Sequence, residues 1–338
     1  MHPVTIGERA MELDELLAVA VGAPVILDDA AKTAIAASRA VVDRMLERDE
    51  PVYGLNTGVG HLKDTRLPIE ELRTTQLLLL RSHAGGLGDP ASTELVRAAM
   101  AARLNGIARG GSGASPAVAD VLVAMLNAGV HPIVPSRGSL GAGDLGQLAT
   151  VGQVAIGAGA AELHGEVVPG AQALELAGIQ PLRLEPKDGL TFMSSNAFSI
   201  AGAALALDRA SGLGELADVV AALSMEATAA SPSVVHPAVA EAKPIGGQRA
   251  SADTIRGALE GGDLAAGLVE TSVQAPLSFR VIPQVHGAVR GSLDAAERAV
   301  LVELNGRGDN PLVSIEHGAM IHNGNFDAVA MAIAFDQV

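Results

Sequence analysis

Residues 187–230 run as one alanine-rich, apolar stretch that reads as helix. A helix that is apolar on most sides has to be covered on most sides, so the chain must supply other helices to pack against it. Alanine, and the chain's 39 glycines, let backbones come close, and aromatic residues make up only 2% of the sequence. With 49% hydrophobic and 18% charged residues, 338 residues can bury a sizeable core. Close-packed helices are therefore the first expectation.

The rest of the chain reads the same way. Asp28 and Asp29 are N-cap candidates for a helix over 30–48, whose Ile35, Val41, Val42, Met45 and Leu46 recur at helical spacing. Further helices are predicted over 69–84, over 93–108 and over 117–129, the last closed by Gly129, and from Asp144 onward. Residues 51–68 and 130–143 read as loops, with turn residues at nearly every second place in the first. Short β-like runs lie near 161–168, before a helix at 170–177. The expected fold is mainly α: a loop-rich N-terminal domain over 1–186, followed by a long-helix bundle over 187–338. Residues 325–338 read as an apolar periodic helix with no cap and no breaker, from which we expect a longer natural protein or a partner chain that completes the packing.

The formal net charge is −15, which makes nucleic acid and anionic membrane poor partners, since both need a basic face. No cysteine is present, so disulfides, thiolate metal sites and cysteine nucleophiles are excluded. The N-terminus has no signal-peptide pattern, and no run of about 18 apolar residues escapes charge or Gly/Pro breaks. A soluble, cytoplasmic protein is expected.

Several residues carry chemistry. Tyr53, the only tyrosine, sits in the glycine-spaced loop "YGLNTGVG", either as a hydrogen-bonded loop residue or as an acid/base that needs a neighbourhood stabilising its phenolate. The segment "GSLGAGDLGQLA" (138–149) is rich in glycine but lacks a P-loop lysine and the dinucleotide spacing, so phosphate binding is not expected. His83 ends a helix, as a capping cation or a ligand contact. Arg280 follows an apolar stretch and suits bidentate contact with a carboxylate as well as an ordinary ion pair. "RGDNPL" (307–312) is turn chemistry, in which Asp309 and Asn310 can bond their own backbone. No His/Asp/Glu set has metal-ligand spacing, so no metal is expected.

Taken in order, these motifs resemble the aromatic amino acid ammonia-lyase family, and most of all its histidine branch. The matching stretches are Tyr53-Gly54-Leu55-Asn56-Thr57-Gly58, Ser82-His83-Ala84, "VPSRGSLGAGDLGQLA" (134–149) and Lys187-Asp188-Gly189-Leu190. They continue with "VQAPLSFR" (273–280), "PQVHGA" (283–288), Asp309-Asn310-Pro311-Leu312 and Gly324-Asn325-Phe326. The resemblance implies a mainly α-helical homotetramer whose active sites are shared between subunits. It implies a methylidene-imidazolone electrophile made by cyclisation of an Ala-Ser-Gly tripeptide, here at Ala142 and Gly143. It makes Tyr53 the catalytic acid/base and Arg280 the carboxylate clamp, gives His83 the imidazole ring of the substrate, and adds Asn196, Asn310 and Phe326 as substrate contacts. Loss of ammonia from histidine then gives a urocanate-type acrylate.

The departures from that pattern carry information too. Where the family has Gly-Ala-Ser-Gly-Asp, this chain has Gly141-Ala142-Gly143-Asp144. The methylidene group comes from a dehydrated serine, and neither Ala142 nor Gly143 carries a β-leaving group. Ser139 does, but the branched Leu140 follows it. The family's Asn-Gly is here Ser194-Ser195, with Asn196 after it, and its tyrosine before the clamp is Leu277. The family also continues into further helices that supply a substrate-contacting carboxylate. Three readings follow: an ammonia-lyase of the histidine type, an electrophile-free lyase releasing a better leaving group such as trimethylamine from a histidine betaine, and a non-catalytic scaffold.

Overall fold

The computed structural model describes residues 1–48 and 50–338. The chain divides into two compact units: residues 1–205 with 300–329, and residues 206–299 with 330–338. The sequence reading set a boundary at 186/187; in the structure residues 187–205 belong to the first unit. They are held there by Lys187, Asp188 and Thr191, whose side chains are fully buried.

In the first unit, helix Thr93–Ala108 is buried nearly all round and forms the centre of the core. Ser92 caps it, accepting the Leu95 N–H at 3.3 Å. Helices Leu13–Ala20, Asp29–Glu47 and Pro116–Ala128 pack against it. The expected helix over 30–48 appears as Asp29–Glu47, with Asp28 accepting from Ala31 N–H at 2.6 Å. Pro116 opens its helix and Gly129, at φ 72°, closes it. Strands Val4–Ile6 and Val25–Leu27 pair in parallel, and the β-like run near 161–168 is a hairpin of Ala160–Leu163 and Glu166–Pro169. The helix expected over 69–84 starts with a 3-10 turn and becomes α-helix at Leu72–His83. It crosses helix Asp188–Met193 closely: a Cβ on Gly189 would lie 2.5 Å from the Gln76 carbonyl oxygen.

Two expectations need correction. The stretch 187–230 is not one helix; it breaks at Ser194–Asn196 between Asp188–Met193 and Ala197–Thr228. The break has a cause remote in sequence. Asp144 donates its backbone N–H to the Ser195 carbonyl at 2.8 Å, and its buried carboxylate accepts from Ser199 N–H at 2.7 Å and Ser199 Oγ–H at 2.8 Å. Asp144 thus caps the long helix, while giving no side-chain cap to helix Leu145–Ala155, which it precedes. The helix read over 325–338 is also shorter, Val329–Phe335. Its start is set by Asp327, whose carboxylate accepts the Val329 N–H at 3.0 Å, a cap the sequence reading did not see.

The second unit has its own core, built from Met225, Ile255, Leu259, Leu264 and neighbouring alanines. Within it, the fully buried Asp218 accepts from His286 Nδ1–H and Arg290 Nη2–H, both at 2.7 Å, and from the Ser251 hydroxyl. Residues 188–228 hold a window of mean hydropathy 1.4, apolar enough by length and composition to cross a membrane, though Gly189 and Gly202 interrupt the stretch. That window is 78% buried within the protein, as for a core helix.

Candidate active site

Tyr53 and His83, chosen separately from the sequence, line the same cleft in the first unit, with a volume of about 920 Å³. Its walls come from the loop after Tyr53, from helix Leu72–His83, and from Leu145, Leu190 and Met193. Most of the wall is apolar, so the few polar groups decide what can sit there.

The loop holding Tyr53 is tied by local hydrogen bonds. Asn56 is buried; its Oδ1 accepts from Val52 N–H at 2.7 Å and its Nδ2 donates to the Glu50 carbonyl at 2.8 Å. Thr57 pairs with Arg66 as an isolated bridge. The chain then folds back, and Gly60 donates its N–H to the Tyr53 phenol oxygen at 3.3 Å. His83 is turned toward its own helix, with Nδ1 3.0 Å from the Leu79 carbonyl oxygen and 3.0 Å from the Ser82 hydroxyl.

Behind the cleft lies a buried ionic network. Arg103 pairs with Asp309 through contacts of 2.7 and 3.1 Å and also donates to the Thr191 carbonyl. Lys187 donates to the Ser112 carbonyl. Burial holds the Lys187 ammonium down to about 8, although Asp309 and Asp188 pull the other way. Asp188 accepts from Ser115 N–H at 2.8 Å, Ser115 Oγ–H at 2.7 Å and Glu185 N–H at 2.9 Å; burial nonetheless pushes its carboxyl above the usual range. These bonds tie the loop at 112–115 to the turn that starts helix Asp188–Met193, which carries Leu190 and Met193 into the cleft wall. Sequence reasoning passed over Lys187 and Arg103 as site elements. The available signal for Arg103 was an arginine inside an otherwise apolar, alanine-rich run; Lys187, in "LEPKDGL", stands among charged neighbours and carries none.

Ala142, Gly143, Asn196, Asn310 and Phe326 gather around the glycine loop, and neither they nor Arg280 are among the described lining residues of this cleft. Ala142 is exposed and pairs with Asp327 as an isolated bridge; Gly143 is buried at φ 84°, a left-handed conformation that suits glycine. Asn196 is 4% exposed and donates its amide to Glu303 at 3.3 Å, where burial raises the Glu303 carboxyl above its usual range. Asn310 donates its N–H to Ser194 Oγ at 2.9 Å, and its side-chain oxygen accepts from Asn323 N–H at 3.1 Å. Phe326 is half-buried, on the segment that pairs with the loop. Arg280 ends helix Leu277–Arg280 in the second unit. Among the described residues no group of three or more His, Asp or Glu side chains could hold a metal ion.

A family model described as aromatic amino acid lyase matches residues 11–338. The chain belongs to the aromatic amino acid lyase family. As a member, it is 42% identical to the histidine ammonia-lyase of Gloeobacter violaceus over 97% of its own length and 64% of that protein's, and 41% identical to a probable histidine ammonia-lyase of Halobacterium salinarum, of which it spans 62%. Among solved structures, this lyase-family chain resembles an ergothioneine-degrading enzyme, ergothionase, from Treponema denticola (TM-score 0.95, 31% identity, 98% of this chain and 67% of that one). It also resembles histidine ammonia-lyase from Trypanosoma cruzi (TM-score 0.89, 30% identity, 99% and 64%). The chain thus spans 62–64% of the length of these two curated relatives.

The family's methylidene-imidazolone does not fit the residues present. Between Gly141 and Asp144 stand only Ala142 and Gly143, and neither can lose a β-hydroxyl. Ser139 lies outside the tripeptide position, and its hydroxyl accepts the Gly141 N–H at 3.3 Å.

Proposed function

We propose that the protein is a carbon–nitrogen lyase that eliminates an amine from the α-carbon of a histidine-like amino acid and releases a urocanate-type acrylate. The observation that carries this reading is the shared cleft of Tyr53, the chain's only tyrosine, and His83. The names of the relatives near 40% identity support both the reaction class and the imidazole-bearing substrate.

In the reaction, the Tyr53 phenolate takes the β-proton. The C–H electron pair forms the new C=C bond, the C–N bond breaks, and its pair leaves with the amine. The Gly60 N–H faces the oxygen that bears the phenolate charge. His83 receives the imidazole ring, and the family resemblance gives Arg280 the part of carboxylate clamp. The same resemblance adds Asn196, Asn310 and Phe326, which stand at the glycine loop, as substrate contacts. A cytoplasmic homotetramer that shares active sites between subunits belongs to the same reading.

One observation favours a second reading of the leaving group. With no serine at 141–144, elimination has to proceed without the electrophile. A quaternary ammonium departs as a neutral amine and cannot first lose a proton and become a poorer leaving group. A histidine betaine would release trimethylamine in this way, and ergothioneine, degraded by the Treponema denticola relative, is itself such a betaine. The test is incubation of the purified protein with histidine and with its trimethyl betaine, reading acrylate absorbance, ammonia and trimethylamine. Release of either amine with acrylate supports the lyase, and which amine appears decides the leaving group. No acrylate from either compound overturns the reading and leaves the scaffold.

A further inference from the structure

Helix Leu72–His83 ends with the His83 ring folded back on its last turn. Nδ1 lies 3.0 Å from the Leu79 carbonyl oxygen. A carbonyl only accepts, so the nitrogen facing it at that distance carries a hydrogen. The Ser82 hydroxyl sits 3.0 Å from the same nitrogen and donates its own proton to the same carbonyl at 3.2 Å. That leaves the Ser82 oxygen lone pairs facing Nδ1–H. Two acceptors therefore hold one hydrogen, at a helix end where carbonyls carry partial negative charge. In a neutral ring the second nitrogen, Nε2, is then a bare acceptor. With Nδ1 turned to the helix, Nε2 is the nitrogen left for the cleft that His83 lines with Tyr53.

We propose that Ser82 is a positioning residue: it fixes the Nδ1–H tautomer of His83, so that Nε2 selects ligands whose ring brings an N–H. An imidazole with a ring N–H satisfies Nε2. A thiazole of the same shape offers only lone pairs and sets acceptor against acceptor, and a phenyl ring leaves Nε2 unpaired. The assignment of the imidazole class rests on the lyase reading; the tautomer rests on the contacts of Nδ1 with both Leu79 and Ser82.

The test compares binding of 3-(imidazol-4-yl)propanoate and 3-(thiazol-4-yl)propanoate to the purified protein by calorimetry, with the His83 ring nitrogens read by ¹⁵N NMR and assigned through His83→Gln. The wild type should favour the imidazole by roughly tenfold, the cost of one unmet acceptor, and show a protonated Nδ1 and a bare Nε2. Ser82→Ala should shrink the preference to about threefold or less and mix the tautomers, while Ser82→Thr keeps both. Equal binding of the two rings to the wild type, an Nε2–H tautomer, or a Ser82→Ala variant unchanged in both readouts overturns the proposal. If neither ring binds, the tautomers of wild type and Ser82→Ala decide it. None of these readouts needs turnover, so a protein that forms no acrylate refutes the lyase reading and leaves this one to its own result.

Discussion

Gly60 donates its backbone N–H to the phenol oxygen of Tyr53, seven positions before it in the chain, at 3.3 Å. The donor is part of the chain's own turn, so it needs no ligand to be in place. It faces the oxygen that carries charge whenever Tyr53 gives up its proton. Tyr53→Phe removes that oxygen and keeps the ring. Turnover should fall by at least about a hundredfold, as for loss of a general base. Stability should fall by no more than about 1 kcal/mol, one neutral hydrogen bond. Steady-state kinetics with thermal unfolding of the same sample checks both; near-normal turnover would remove Tyr53 from the chemistry.

The glycine loop makes a prediction about mass. Ala142 and Gly143 offer no hydroxyl to eliminate, and Ser139 Oγ is engaged with Gly141 N–H. The intact protein should weigh what its sequence gives, with no loss of water, and peptides over 138–149 should be unmodified. A water-loss product in that peptide would restore the electrophile to the mechanism and, with it, ammonia as the favoured leaving group.

Lys187 makes stability depend on pH with a defined sign. Its folded value is about 8, against 10.5 for an ordinary lysine. Between those two values the unfolded chain binds more protons than the folded one, so stability rises with pH. The penalty is about 3 kcal/mol. It is present in full below pH 8 and is relieved as the pH climbs to about 10.5. Lys187→Met should remove this dependence. Urea unfolding of both proteins at pH 7.5, 9 and 10 should show wild type gaining on the variant at each step; parallel curves would mean that the ammonium is not penalised.

Asp144 is tested by truncation. Asp144→Ala leaves the Ser199 N–H and hydroxyl without their acceptor and removes a buried helix cap. The expected loss is about 2–3 kcal/mol. Asp144→Asn, which keeps one acceptor oxygen, should lose about half of that. Denaturant midpoints give the comparison, and an Asp144→Ala loss under about 0.5 kcal/mol would contradict the capping role.

The helices were legible where the information is local. Asp28 caps the helix it precedes, and Pro116 and Gly129 bracket theirs, because propensity, cap and periodicity agree within a few residues. Reading failed where a residue's partner lies far along the chain. Asp144 reads as the opening of the helix that follows it, and its carboxylate serves one that begins 53 residues later, at Ala197. The interruption at Ser194–Asn196 was invisible for the same reason. In the site, Tyr53 and His83 were legible because each stands alone in a punctuated segment. The Arg103–Asp309 pair spans 206 positions, and nothing near either residue announces the other.

Asp144 and Ser199 form a two-part lock between the glycine loop's exit and the first turn of helix Ala197–Thr228. Neither half keeps its value without the other. A descendant of this sequence that exchanges one of these side chains is under pressure to exchange the second, so positions 144 and 199 should be inherited as a couple.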